Sequence, residues 1–271
     1  MTAKIAEFRR LHEAGCFVIP NPWDRGGAIY LERLGFKALA TTSAGFAWSA
    51  GRPDNGVTLE QVLDHLETLA SAVRVPLNAD FEGGFAVEPE GVAANVARAA
   101  CTGIAGLSIE DSTSDSSNPL FGFALAVERI RAARKAIDAS ETGVLLTGRS
   151  EGFFVGRPDL KETIRRLEAY AAAGADVLYA PGIRSKEDIA AVVKAVAPRP
   201  VNLLIGGDWM TLAEAADLGV RRVSVGGALA RFAWNSWARA ARQIAESGSF
   251  SGLAFAGPSV NLNETFRSLG E

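Results

Sequence analysis

Histidine and cysteine are both scarce, at two residues each in a chain of 271. His12 and His65 fall on helical stretches, away from the strand ends where chemistry would gather. That placement speaks against a histidine-ligated zinc and against a Ser-His-Asp triad. Cys16 and Cys101 stand outside any C-x-x-C or metal-ligand spacing and have apolar neighbours, so buried, inert thiols are expected. No apolar run approaches the ~20 residues that a membrane helix needs. The first ten residues lack the continuous apolar core of a signal peptide, so a cytoplasmic enzyme or binding protein is expected. The formal net charge is only -3, which offers no electrostatic case for nucleic acid or an anionic membrane as partner.

What is present is alternation. Short β-rich runs are each followed by a longer helical pattern: "CFVIPN" by 22–34, "ALATTS" by 58–73, "VPLNADF" by 89–101 and "GLSIED" by 124–139. "GVLLTGRS" precedes 158–173, "DVLYAPG" 186–196, "VNLLIGG" 211–218 and "RRVSVGG" 228–246. Eight such units, with no linker long or polar enough to part domains, predict an α/β fold of the closed (β/α)8 TIM-barrel type over residues 1–271. A doubly wound open sheet is the alternative, weakened because no G-x-G-x-x-G follows the first strand. The stretch 247–271 reads as a C-terminal helical extension, begun near Pro258 and carrying Leu262, Phe266 and Leu269 on one face. Such a helix packs outside the barrel or on a neighbouring subunit, and the subunit reading is preferred.

In barrels of this kind the reacting groups sit at the C-terminal ends of the strands. Those ends carry Asn21, Ser43 with Gly45, Asp80 with Glu82, Glu110 with Asp111, Arg149 with Glu151, Asn202 and Gly226-Gly227. Several carboxylates at one mouth repel unless a cation joins them. Oxygen donors without histidine suit Mg²⁺ or Mn²⁺, and Arg149 suits bidentate capture of a carboxylate or phosphonate. The competing reading is a structural ion-pair ring at the barrel top. Gly206-Gly207 and Gly226-Gly227, ending strands seven and eight, fit either a phosphate site or ordinary turn chemistry.

Six pieces then carry a resemblance: "PNPWDRGGA", "TTSAGFAWSAGRPD", "NADFEGGF", "SIEDS", "GRSEGF" and "GADVLYAPG". Together they resemble the isocitrate lyase/phosphoenolpyruvate mutase superfamily over nearly the whole chain. The resemblance implies a barrel whose last helix is often swapped between subunits, in a homodimer or homotetramer. It implies Mg²⁺ (Mn²⁺ possible), and cleavage or rearrangement of C–C or C–P bonds of small 2-oxo or 2-hydroxy acids through a metal-stabilised enolate. By the same resemblance Ser43, Ala44 and Gly45 bind a substrate carboxylate, and Asp54 holds a metal-bound water. Asp80 and Glu110 are the central metal acids, Arg149 binds carboxylate, and Asn202 touches the substrate. Glu82 is expected at the rim, paired with a nearby base.

Two departures shape the functional expectation. The family's D-x-D is here N-A-D, so Asn78 removes one negative charge and acts through water or from behind the ligands. The K-[KR]-C-G-H loop of the isocitrate and methylisocitrate lyases is replaced by "STSDSSNPLFGF", without Cys, Lys or His. This speaks against those two activities and leaves water, Ser or Tyr179 as proton donor. The leading expectation is an Mg²⁺-dependent lyase or decarboxylase of a small 2-oxo or 2-hydroxy (di)carboxylate. Phosphonopyruvate hydrolase or mutase-like C–P chemistry is the alternative, and a barrel that binds 2-oxo acids without turnover is a third.

Overall fold

Every β-rich run becomes a short strand: β1 (Phe17–Ile19), β2 (Leu39–Ala40), β3 (Leu77–Asp80), β4 (Gly106–Glu110), β5 (Leu145–Arg149), β6 (Val177–Tyr179), β7 (Val201–Leu204) and β8 (Arg222–Ser224). These assignments come from a computed structural model that describes residues 2–113, 115–254 and 260–267. All pairings are parallel, in the order β1-β8-β7-β6-β5-β4-β3-β2. At the remaining seam Ala40 N–H donates to the Pro20 carbonyl at 3.0 Å, and the Asn21 amide to the Thr41 carbonyl at 2.8 Å. Asn21 Oδ1 also accepts from the Val225 and Gly226 amides, so this strand-end residue ties β1, β2 and the β8 loop together. The (β/α)8 barrel follows as expected.

Around the strands run α2 (Arg25–Arg33), α4 (Leu59–Ala72), α5 (Pro89–Ala100), α6 (Phe123–Ala139), α7 (Leu160–Ala172), α8 (Lys186–Val196) and α9 (Leu212–Asp217). Their starts are set by caps. Asp24 accepts from Gly27 N–H and Asp159 from Glu162 N–H, which moves α2 and α7 a few residues later than 22 and 158. Thr58 with Gln61 and Thr211 with Glu214 form reciprocal capping boxes. Cys101 caps the end of α5 and is exposed, and Cys16 is half-buried; neither is the fully buried thiol expected. The apolar neighbours misled, because Ala99 and Ala100 turn inward while the next residue around the helix turns out.

Two further helices lie outside the eight units, the first being the helical stretch expected around His12. α1 (Ala3–Glu13) buries Ile5, Phe8 and His12, an i, i+3, i+7 face. Its Lys4 donates to the Ala70 and Val73 carbonyls and Arg9 to the Gly143 carbonyl, all just ahead of β3 or β5. α1 therefore closes the N-terminal end of the barrel. α3 (Ser43–Ser49) is a short helix in the loop after β2, capped by Thr42.

Residues 1–227 form one compact unit and 228–271 a second. The second contains α10 (Ala228–Ser247), a 3₁₀ turn (Ser251–Leu253) and α11 (Leu262–Arg267). Gln243 of α10 donates to Ser251 of the turn at 2.8 Å. The expected tail helix is present as α11 with Leu262 and Phe266, while Pro258 and Leu269 lie outside the described residues. No helix among the described residues is long and apolar enough to cross a membrane.

Candidate active site

The register of three adjacent strands sets the centre of the site. Asp80 ends β3 beside Ser108 of β4, and Glu110 ends β4 directly opposite Arg149 of β5. Arg149 Nη1 lies 3.1 Å from Asp80 Oδ1 and 3.2 Å from Glu110 Oε2, and its Nε donates to Glu151. Its guanidinium carbon sits 5.2 Å from the Tyr179 ring centre. Burial by itself would lower the Arg149 pKa, but the pull of Glu151, Glu110 and Asp80 holds it well above the ordinary arginine range.

Asp80 is held from the other side by β2 and α3. Its backbone N–H donates to Thr41 Oγ1 at 2.9 Å, and its Oδ2 accepts Ser43 N–H at 3.1 Å. Asp54 has its carboxyl pushed above its usual range by desolvation and then by Asp80. Gly45 N–H goes to Thr42 Oγ1 at 3.3 Å, inside the cap of α3. Ser43, Ala44, Asp54, Asp80, Glu110 and Arg149 thus converge on one mouth, with Ala44 half-buried on the first turn of α3.

Glu82 departs from expectation. It is buried at 8% exposure, no base pairs with it, and its Oε1 has no hydrogen-bond partner. Burial first, then Asp80 and Asp54, push its carboxyl up to about 8. The loop that turns Glu82 inward is fastened from below. The Arg129 guanidinium donates to the carbonyls of Gly83, Ala86 and Val87 and covers the Phe121 ring at 4.1 Å. Burial also raises Glu110 well above the carboxylate range, against the opposing pull of Arg149, and raises Glu151 in the same way.

Two expected residues lie deeper. The Asn202 side chain is buried in the barrel interior: Oδ1 accepts Arg222 Nε–H at 2.8 Å and Nδ2 donates one of its two N–H groups to Ser224 Oγ at 2.9 Å. Asn78 is buried one inward layer beneath Asp80 and donates to the Ala79 carbonyl at 3.1 Å. A Cβ on Gly106 would fall 2.7 Å from both Asn78 Oδ1 and Phe8 of α1, so the Asn78 amide faces the closed end.

A set of supporting residues went unrecognised in the sequence. Asp111 follows Glu110 and so points away from the mouth, toward α7. Its Oδ1 accepts Glu151 N–H at 2.7 Å, while Oδ2 accepts Arg166 at 3.0 Å and the Tyr170 hydroxyl at 2.6 Å. The signal was available: two acids in sequence at a strand end must face opposite sides of it. Tyr179, considered as a proton donor, is buried, and that burial pushes its hydroxyl up to about 12. The loop after β4 closes on itself through a bridge between Ser112 and Leu120. Gly206 and Gly207 line a cavity of about 310 Å³ with Arg184, Asp208 and Trp209.

The donor chemistry suits a hard divalent cation, because Asp80, Glu110 and Glu151 all contact one arginine and Glu82 nearby retains an unpartnered buried oxygen. Among the described residues no three acids, histidines or cysteines already stand in metal-holding geometry; Asp80 and Glu110 instead close on Arg149.

Residues 8–245 match the family model described as phosphoenolpyruvate phosphomutase. The chain belongs to the isocitrate lyase/phosphoenolpyruvate mutase superfamily. It is 46% identical, with a TM-score of 0.91, to a crystal structure from Burkholderia cenocepacia J2315 named only by class, as a lyase/mutase; the match covers 97% of this chain and 95% of that one. Oxaloacetate acetylhydrolase, solved with its product oxalate, is 28% identical at a TM-score of 0.85, covering 97% and 93%. Oxaloacetate decarboxylase of Paraburkholderia xenovorans is 29% identical over 79% of this chain and 71% of its own. Superfamily relatives of this kind support an enzyme with a lyase-type reaction.

Proposed function

We propose that the protein is a divalent-metal-dependent carbon–carbon lyase or decarboxylase of a small 2-oxo or 2-hydroxy dicarboxylate. The observation that carries this is the surplus of buried carboxylates around Arg149 at the C-terminal mouth of the barrel. Asp80 and Glu110 would hold Mg²⁺ or Mn²⁺, with Asp54 reaching it through water. Bound there, the ion supplies charge stabilisation for the electron pair left when the bond breaks.

The chain's own groups do the rest. Arg149, released from part of its ion-pair load by the cation, is the carboxylate anchor, and the first turn of α3 with Ser43 orients the same group. The loop at 112–123 contributes no Cys, Lys or His as acid. Decarboxylation fits this site, since the carbon can take its proton from solvent. Asn78, facing the closed end, leaves the mouth one acid short at the position where relatives carry two.

The test is a panel of 2-oxo acids, 2-hydroxy acids and phosphonopyruvate with Mg²⁺ or Mn²⁺, followed by NMR. Oxaloacetate consumption with formation of pyruvate is the expected result. Metal-dependent stabilisation by oxalate with no product from any acid would instead make the protein a binding barrel. Asp80→Ala abolishes Mg²⁺-dependent oxalate binding while the circular dichroism spectrum stays unchanged; unaltered oxalate affinity would sink the site assignment. C–P chemistry is a second reading, favoured by the match to the phosphomutase family model, and phosphate release from phosphonopyruvate would reveal it.

The same proposal includes a cytoplasmic homodimer or homotetramer. In the second unit Phe232 and Trp237 of α10 and Phe250 and Leu253 beyond it are largely exposed, an apolar face suited to a second copy. Sedimentation at micromolar concentration tests it, with Phe232→Ser/Trp237→Ser expected to shift the protein toward monomer.

A further inference from the structure

We propose that the cavity of about 310 Å³ beside the mouth binds a zwitterionic small molecule, an α-amino acid with an apolar side chain. This site is independent of the metal and of the reaction proposed above.

The loops after β5, β6 and β7 build the cavity and bring Phe154, Arg184, Asp208 and Trp209 to its wall. Neither Arg149 nor any acid of the mouth lines it, and all of it lies within residues 1–227. Ligand pockets span roughly 300–1,000 Å³, so a cavity at the lower end takes a small occupant.

Main-chain contacts hold the walls. Gly182, at φ 93°, lets the loop after β6 press on the loop after β5. A Cβ there would fall 3.0 Å from the Phe153 carbonyl carbon and 3.1 Å from the Phe154 nitrogen. Phe154 N–H in turn donates to the Glu151 carbonyl at 2.8 Å, which fixes the backbone of a ring that is 58% exposed. On the loop after β7, Trp209 N–H donates to the Gly207 carbonyl at 3.1 Å. Gly207 has no left-handed φ, and a Cβ on it would meet nothing within 4 Å. The backbone therefore does not require glycine at 207, and the missing side chain leaves the space open.

The chemistry of the wall selects the occupant. Arg184 and Asp208 are both exposed and line the same cavity, yet neither side chain forms an ion pair or hydrogen bond among the described residues. The Gly206 and Gly207 N–H groups and the Trp209 indole N–H are also without a partner among the described residues. Several donors are thus open to a carboxylate, and one acid is open to an ammonium, beside two aromatic surfaces. A simple anion would be repelled by Asp208 and a simple cation by Arg184. A ligand that carries both charges next to an apolar group answers all of these residues.

The test is isothermal titration calorimetry on the metal-free, full-length protein near neutral pH. Its probes are L-phenylalanine, 3-phenylpropionate, which lacks the ammonium, and 2-phenylethylamine, which lacks the carboxylate. L-phenylalanine is expected to bind about tenfold more tightly than either probe of single charge. Arg184→Met should weaken L-phenylalanine and 3-phenylpropionate about tenfold, whereas Asp208→Asn should weaken L-phenylalanine alone. Both side chains are exposed and unpaired, so near-UV circular dichroism of the variants should match the unaltered protein. L-phenylalanine binding that neither substitution weakens overturns the location. Loss in Arg184→Met without loss in Asp208→Asn overturns the zwitterion. No binding of L-phenylalanine at millimolar concentration, by calorimetry and by equilibrium dialysis, overturns the site. Failure of the metal site at the mouth would leave each of these readings unchanged.

Discussion

Arg149 and Arg222 are both buried in the same barrel, one at the C-terminal mouth and the other near the end that α1 closes. Arg149 meets Asp80, Glu110 and Glu151. Arg222 meets only neutral groups: Asn202 at 2.8 Å, Thr147 at 3.2 Å and the His12 ring at 3.4 Å. Their titration follows their company. Arg149 is held well above the ordinary arginine range, whereas burial lowers Arg222 to about 10. A buried network that needs only to hold its shape can surround one cation with neutral hydrogen-bonding groups and carry no acid. A network with more acids than cations is poised to receive a positive charge. The contrast between these layers is the physical argument for placing chemistry at the mouth.

The largest blow to that contrast is Arg149→Met. It strips several buried carboxylates of their cation, and stability of the metal-free protein should fall by about 3–5 kcal/mol in urea unfolding, with loss of activity. A change as small as that of a surface residue would mean the acids do not depend on Arg149. Asp111→Asn comes next. Its carboxylate accepts from Glu151 N–H, Arg166 and Tyr170, and an amide cannot accept all three. The expected loss is about 2–3 kcal/mol, with weaker substrate binding because Glu151 is no longer held.

Arg222→Met tests the layer without acids and should change stability by less than about 2 kcal/mol, since a buried charge is exchanged for an apolar side chain of similar length. Mn²⁺ affinity should be untouched. Weakened metal binding there would erase the distinction between the layers.

The smallest effect is a slope. Burial and then Arg222 hold His12 down to about 3, below its ordinary 6.5, so between those values the folded protein binds fewer protons than the unfolded chain. Stability contributed by neutral His12 is therefore complete above about pH 6.5 and is lost as pH falls toward 3. His12→Gln should flatten this limb by up to one proton, about 1.4 kcal/mol per pH unit. His65, lowered to about 4 by burial, leaves a residual slope of the same sign.

Much of the frame was legible because it depends on local pattern. Alternating β-rich and helical runs announced eight units, and barrel geometry then assigned Asp80, Glu110 and Arg149 to one end. α3 was missed because "SAGFAWS" is too short to show a period, although Thr42 supplies an N-cap. α1 was expected only as a helical stretch around His12, without bounds, although its buried face keeps helical spacing. Cys101 was misplaced because apolar neighbours in sequence need not share a helix face. Glu82 was assigned to the rim since a glutamate beside Gly83-Gly84 reads as loop; only the left-handed turn and the Arg129 clamp bring it inside.

The sequence by itself determined the barrel and the set of strand ends that meet, since period and spacing along the chain dictate those, and its six motifs carried the resemblance to the family. Tertiary structure decided which polar side chains share the mouth and which lie beneath it. Asn78 and Asn202 face the interior, Asp111 faces α7, and Glu82 is buried rather than on the rim. Those directions are fixed by packing between residues far apart in the chain, such as Gly106 against Phe8 and Arg166 against Asp111. No local pattern encodes such contacts, so only the folded chain separates the layer rich in acids from the layer without them.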